Sequence, residues 1–196
     1  MLPHRPKELM MNNKTKWITR SAISIALIIV IQLATRGLGQ QLITGSLVNL
    51  VLALVTLLFG WSVGAAAAIV SPFIAYLLGI NAQILVVPAI AVGNLTYVLV
   101  TALLARILKG TNSTANEKLL GFIKNLAAVV IAAVCKFGIQ YMLIVKWIAP
   151  SFLPEKAQVV IAVNFGIMQL FTAIIGGVLA CLIYPLLSAS GINNKA

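Results

Sequence analysis

The sequence predicts an all-α integral membrane protein, a bundle of six transmembrane helices with both termini cytoplasmic, and three observations carry that prediction. Hydrophobic residues make up 61% of the 196 and charged residues 9%, against about 25% charged in an ordinary soluble domain. Mean hydropathy is +1.07. The apolar residues also gather into about six runs, each near the roughly 20 residues that a helix needs to cross a bilayer. Six such spans with short connections use up nearly all the chain. One membrane domain over residues 17–187 is therefore expected, between a basic tail at 1–16 and a short tail at 188–196.

Each element follows from its own stretch of chain. Residues 1–16 are polar and carry Arg5, Lys7, Lys14 and Lys16, with Met10 and Met11 as alternative starts. The run 17–35 is longer than a signal-peptide core and is followed by further spans, so it reads as a retained first helix. The second span, 42–59, and the third, 61–78, are separated by little more than Gly60 and should form a tight helical hairpin. Ser71-Pro72 is expected to kink the third, which membrane helices tolerate when neighbours satisfy the freed carbonyl. The fourth span covers 84–108, with Pro88 near its start and Gly93-Asn94 inside. A polar loop at 109–118 leads to the fifth span at 119–148. Pro150 and Pro154 bracket the next loop, and the sixth span covers 157–187.

Loop charge sets the orientation, because lysine and arginine are retained on the cytoplasmic side. With the N-terminus inside, the cytoplasmic side collects ten basic residues: Arg5, Lys7, Lys14, Lys16, Arg20, Arg106, Lys109, Lys118, Lys124 and Lys195. The outer side holds three, Arg36, Lys146 and Lys156, and Lys136 alone is left deep in a span. The net charge of +11 is thus a topology signal and a match to anionic lipid, not a nucleic-acid surface.

Aspartate is absent and the three glutamates fall outside the apolar runs. Intramembrane acids usually carry coupling protons or metal ions, so this chain is expected to bind something while a partner supplies the energy. Cys135 and Cys181 lie inside apolar segments without metal-ligand spacing and read as small hydrophobes. No cofactor or metal is expected.

The polar side chains within the spans converge in depth. At 1.5 Å per residue, Lys136 lies beyond the midplane in the outer half of the fifth helix, with Gln140 one turn further on the same face. Asn94 and Tyr97 lie about 15–20 Å below the outer surface on the fourth. Asn164 and Gln169 fall in the outer half of the sixth helix and Asn49 in that of the second, and Arg36 closes the first. Such a set suits a binding cavity open to the outside. Lys136 costs about 2.5–3.5 kcal/mol at the bilayer centre and must find a partner, water or an anion. Taken singly, Asn49, Asn94, Asn164 and Gln169 read equally as hydrogen-bonded links between helices. Tyr97 reads more readily as a packing residue than as a ligand contact, and Arg36 equally as an interfacial anchor or a ligand contact. Replacing Lys136 with methionine is expected to weaken capture and spare the fold.

Small residues repeat at four-residue spacing: Gly60, Gly64 and Ala68 on the third helix, Ala22 and Ala26 on the first. With its six spans and the Ala22-Ile23-Ser24-Ile25-Ala26 run, the chain resembles a substrate-binding S component of an energy-coupling factor (ECF) transporter. Residues 44–49, Gly60 and Ser71-Pro72 add to the likeness. The resemblance implies uptake of a vitamin or related micronutrient across a prokaryotic plasma membrane. It also implies a transmembrane coupling subunit and two ATPase subunits as partners, with Ala22 and Ala26 docking on the former. A lone buried cation suits an anionic solute.

Two other function classes compete. A membrane enzyme is disfavoured, because the only histidine is His4 and no carboxylate pair is available for acid–base chemistry. A stand-alone facilitator or scaffold needs neither acid nor ATPase partner. Co-purification with an ATPase pair separates it from the S-component reading.

Overall fold

Long apolar runs leave the backbone no partner but itself in hydrocarbon, and the chain responds with helix throughout. The computed structural model describes residues 13–38, 41–80, 83–108 and 116–190. Its α-helices are α1 (Asn13–Thr35), α2 (Gln41–Phe59), α3 (Trp61–Leu77), α4 (Val87–Ile107), α5 (Asn116–Gln140), α6 (Ala149–Phe152), α7 (Glu155–Phe165) and α8 (Ile167–Ala189). Short 3-10 turns occupy Arg36–Leu38 and Ile84–Val86, and a π-helical stretch, Tyr141–Ile148, joins α5 to α6. Five stretches are long and apolar enough to cross a bilayer, and α3, with 17 residues, is a shorter apolar helix. The all-α membrane architecture read from composition is what is observed. The tails up to residue 12 and after 190, and residues 109–115 of the expected polar loop, lie outside the described residues.

Two expected spans need correction. The fifth does not stop at residue 148: it changes from α to π geometry at Tyr141 and runs on through α6. Pro150 sits in the first turn of α6, where a missing N–H is tolerated. The sixth span is two helices broken at Gly166, whose backbone sits at φ −80° and ψ −140°. A Cβ at Gly166 would run into the Ala162 carbonyl oxygen. Pro154, extended at φ −65° and ψ 150°, starts α7.

The main helices close a ring in the order α1, α3, α4, α5, α8, α2, and α2 also reaches inward to touch α3 and α4. Buried apolar residues from all six fill its centre, among them Ile28, Leu52, Ala67, Val98, Ala132 and Ala173. Close approach depends on residues without bulk. A Cβ added at Gly176 of α8 would meet the backbone of α2, with the Leu50 nitrogen at 2.6 Å. Gly60, at φ 90°, supplies the left-handed turn between α2 and α3. Gly64 and Ala68 are buried one and two turns later. α1 is the least embedded span, burying only Ser21, Ser24, Ile28 and Thr35.

A second apolar cluster lies at the end of the bundle where α1, α3 and α5 finish and α2 and α4 begin. Val86, Ala89, Ile144, Ala149, Leu153 and Ile161 join the start of α4, the π stretch, α6 and α7 into a cap. Gly176→Val should destabilise the detergent-solubilised protein by about 1–3 kcal/mol, the usual range for overpacking. Gly138→Ala, where a Cβ meets nothing within 4 Å, should be neutral or slightly stabilising. Thermal unfolding of the two variants checks the α2–α8 contact.

Candidate functional site

Beneath the α7 cap lies a cavity of about 520 Å³ that receives side chains from α1, α2, α3, α4, α5, α7 and α8. Among the described residues its lining holds eight carboxamides: Gln32, Gln41, Asn49, Gln83, Asn94, Gln140, Asn164 and Gln169. Arg36 and Lys136 border it too, and among the described residues no carboxylate does. Five of the seven glutamines in the chain thus face one space.

Lys136 forms the floor. Its side chain is 2% exposed, and its Nζ donates to Asn49 Oδ1 at 2.6 Å and to Asn94 Oδ1 at 2.7 Å. Asn49 Nδ2 donates in turn to Thr172 Oγ1 at 3.3 Å, and Thr172 Oγ1 donates to the Gln169 carbonyl oxygen at 3.1 Å. One ammonium group therefore ties α5 to α2 and α4, and through Asn49 to α8. Tyr97 closes the far side, its ring centroid 5.6 Å from Nζ, in reach of a cation–π contact. The Tyr97 hydroxyl donates to the Ala173 carbonyl oxygen at 3.1 Å. Every group that meets Lys136 Nζ among the described residues is neutral.

Of the eight residues that depth in the spans singles out, seven line the cavity: Arg36, Asn49, Asn94, Lys136, Gln140, Asn164 and Gln169. Tyr97 does not; it is fully buried behind Lys136 as part of the core. Asn49 and Asn94 make the interhelical bonds that polar residues in membranes often make, and they also border the cavity. Sequence reasoning passed over Gln32, Thr35, Gln41, Thr44 and Gln83, which line the same space. Thr44 Oγ1 donates to Thr35 Oγ1 at 2.7 Å, joining α1 to α2 at the rim. The spacing of Gln32, in the last turn of α1, and Arg36, the first residue of the 3-10 turn that continues it, is the signal that pairs them on one face.

Ala22 and Ala26 are both exposed on the outer face of α1. Ile18, Ile23, Leu27 and Val30 surround them, also exposed. Among the described residues no group of three or more His, Cys, Asp or Glu is placed to hold a metal ion.

The bonds of Lys136 change one expectation. Lys136→Met should lower stability as well as affinity, because it leaves Asn49 Oδ1 and Asn94 Oδ1 without their donor at about 1–3 kcal/mol each. Asn164→Ala, half-buried on α7 and without a hydrogen bond among the described residues, should stay within about 0.5 kcal/mol of the parent. Unfolding midpoints in detergent compare the two.

Comparison with curated proteins and with solved structures returns no match. A family model described as "ECF transporter, substrate-specific component" matches residues 16–188. That match runs from the first helix to the end of α8, over the ring, the cap and the polar cavity alike, and the chain belongs to the substrate-specific components of ECF transporters.

Proposed function

We propose that this chain is the capture subunit of an ATP-driven importer and takes a small vitamin-like anion into the cavity beneath α7. The observation that carries the reading is the make-up of that cavity. At about 520 Å³ it falls within the roughly 300–1,000 Å³ of small-molecule sites. Two basic side chains border it and, among the described residues, no carboxylate does, a lining that suits a carboxylate or phosphate. Lys136 supplies positive field and one N–H beyond its two asparagine bonds. Gln140, Asn164 and Gln169 meet amide or hydroxyl groups, Arg36 meets the solute at the mouth, and Tyr97 acts from behind by steadying Lys136.

The basic residues of the chain favour both termini in the cytoplasm, which turns the α7 end and its cavity outward. The setting is a prokaryotic plasma membrane. Energy must come from elsewhere. The sequence has no aspartate, and Glu8, Glu117, Glu155 and His4 all lie in a tail or at a helix end. Proton-coupled carriers normally place such groups within the bundle. In the proposed assembly a transmembrane coupling subunit and two ATPases provide the work. Ala22 and Ala26 supply the docking face, because a smooth, exposed pair lets a partner helix approach closely.

In proteoliposomes the lone chain should bind solute without accumulating it, and should concentrate it once the coupling subunit, the ATPases and ATP are present. Uphill uptake by the lone chain would overturn this assignment. The double change Ala22→Trp with Ala26→Trp should cut recovery of the coupling subunit about tenfold or more, since about 1.4 kcal/mol of lost contact is already a decade in affinity. Solute binding by the isolated chain should stay as it was.

A further inference from the structure

Among the described residues α8 makes no hydrogen bond to Lys136, yet one of its side chains fixes a group that does. Asn49 uses both ends of its carboxamide. Its Oδ1 accepts from Lys136 Nζ at 2.6 Å, and its Nδ2 donates to Thr172 Oγ1 at 3.3 Å. The Thr172 hydroxyl gives its own proton to the Gln169 carbonyl oxygen at 3.1 Å. A hydroxyl has one O–H, so toward Asn49 it is left as an acceptor and calls for the amide nitrogen. The Asn49 oxygen is thereby turned to Lys136. Asn94, the other asparagine on the lysine, has no such support, since its Nδ2 makes no hydrogen bond among the described residues.

Two glycines let this pair meet. A Cβ on Gly45 of α2 would run into Thr172, with Cγ2 at 2.9 Å and Oγ1 at 3.2 Å. One turn further along both helices the relation reverses, and a Cβ on Gly176 of α8 would reach the Asn49 Cβ at 2.7 Å. Each bonding side chain thus sits over a glycine of the facing helix. Thr172 is fully buried and does not itself line the cavity. Valine has the same shape, so packing alone does not call for the hydroxyl.

From this geometry we infer that Thr172 is a positioning residue of the binding site. It holds the carboxamide of Asn49, and Asn49 holds Lys136 where the lysine borders the cavity. The effect on capture rests on the binding role proposed above, whereas the hold on Asn49 is read without any ligand.

The full chain, purified in detergent, is melted beside Thr172→Val, Thr172→Ser, Asn49→Ala and the double variant Thr172→Val with Asn49→Ala. Thr172→Val should melt lower than wild type, because Asn49 Nδ2 loses its acceptor. In the Asn49→Ala background the same change should cost little, the non-additivity of residues that act through one another. Each protein is then titrated with a low-molecular-weight ultrafiltrate of yeast extract, and the rise in melting temperature is followed. The amount needed for half of the full rise should grow about tenfold in Thr172→Val and less than about threefold in Thr172→Ser, which keeps the hydroxyl. A purely packing role gives the opposite order, since valine preserves the shape and serine loses a methyl group. Serine binding as weakly as valine, or more weakly, overturns the inference. So does an equal melting cost of Thr172→Val with and without Asn49. If Asn49→Ala does not fold, the order of serine and valine decides alone. A wild type that gains nothing from the ultrafiltrate overturns the capture role, and the melting comparison then decides whether Thr172 holds Asn49.

Discussion

A lysine buried where, among the described residues, no carboxylate borders it must be held by neutral oxygen atoms, and the interior of this protein is arranged around that demand. Asn49 and Asn94 approach Lys136 from two different helices at 2.6 and 2.7 Å, in the range of charge-assisted bonds, which are about twice as strong as neutral ones. The choice of asparagine has an electrostatic consequence. Aspartate would hold the lysine as well and cancel its charge. Asparagine holds it without placing a countercharge beside the cavity. One cluster thus fastens four helices.

Regular helix builds the walls of this site and irregular backbone builds its roof. The change to π geometry at Tyr141 comes directly after Gln140, and α7 is separated from α8 by the break at Gly166. π segments often occur at functional positions, and non-helical backbone at membrane depth is tolerated where protein buries it or where it lines a cavity. Here both conditions hold. The small apolar cluster around Ile144 and Ile161 covers the irregular backbone on one side, while Val160, Ile161, Asn164 and Phe165 face the cavity on the other.

The parts of this arrangement that the sequence exposes are those where hydrocarbon makes a residue expensive. Lys136, Asn49 and Asn94 stand out because a polar group far from either surface needs a reason to be there, and their meeting follows from shared depth. Gln32, Gln41 and Gln83 do not stand out, because they sit near the ends of spans where polar residues cost little. Tyr97 shares the depth of the cavity but not its surface, in line with its reading as a packing residue. Its hydroxyl needs only one acceptor, and the Ala173 carbonyl provides it, so a tyrosine at cavity depth is satisfied as core. The break at Gly166 is equally hidden, since glycine is common within membrane helices and only the Ala162 carbonyl beside it distinguishes this one. The change to π geometry has no signature in the pattern, because the same apolar run satisfies either helix.

The site also divides its polar atoms between two tasks. Those on the floor are committed to one another, with Lys136, Asn49 and Thr172 in one chain of bonds, and they determine how the helices sit. Those on the walls are uncommitted: Gln32 and Gln140 each leave an acceptor unpaired, and the side chains of Asn164 and Gln169 make no hydrogen bond among the described residues. Groups of the second kind weaken the bundle slightly when nothing meets them, since an unpaired buried acceptor costs about 1–3 kcal/mol. A residue that only packed would be better apolar. Under the proposed capture role, a polar molecule in the cavity would meet these carboxamides, while the bonds of the floor hold the helices around it.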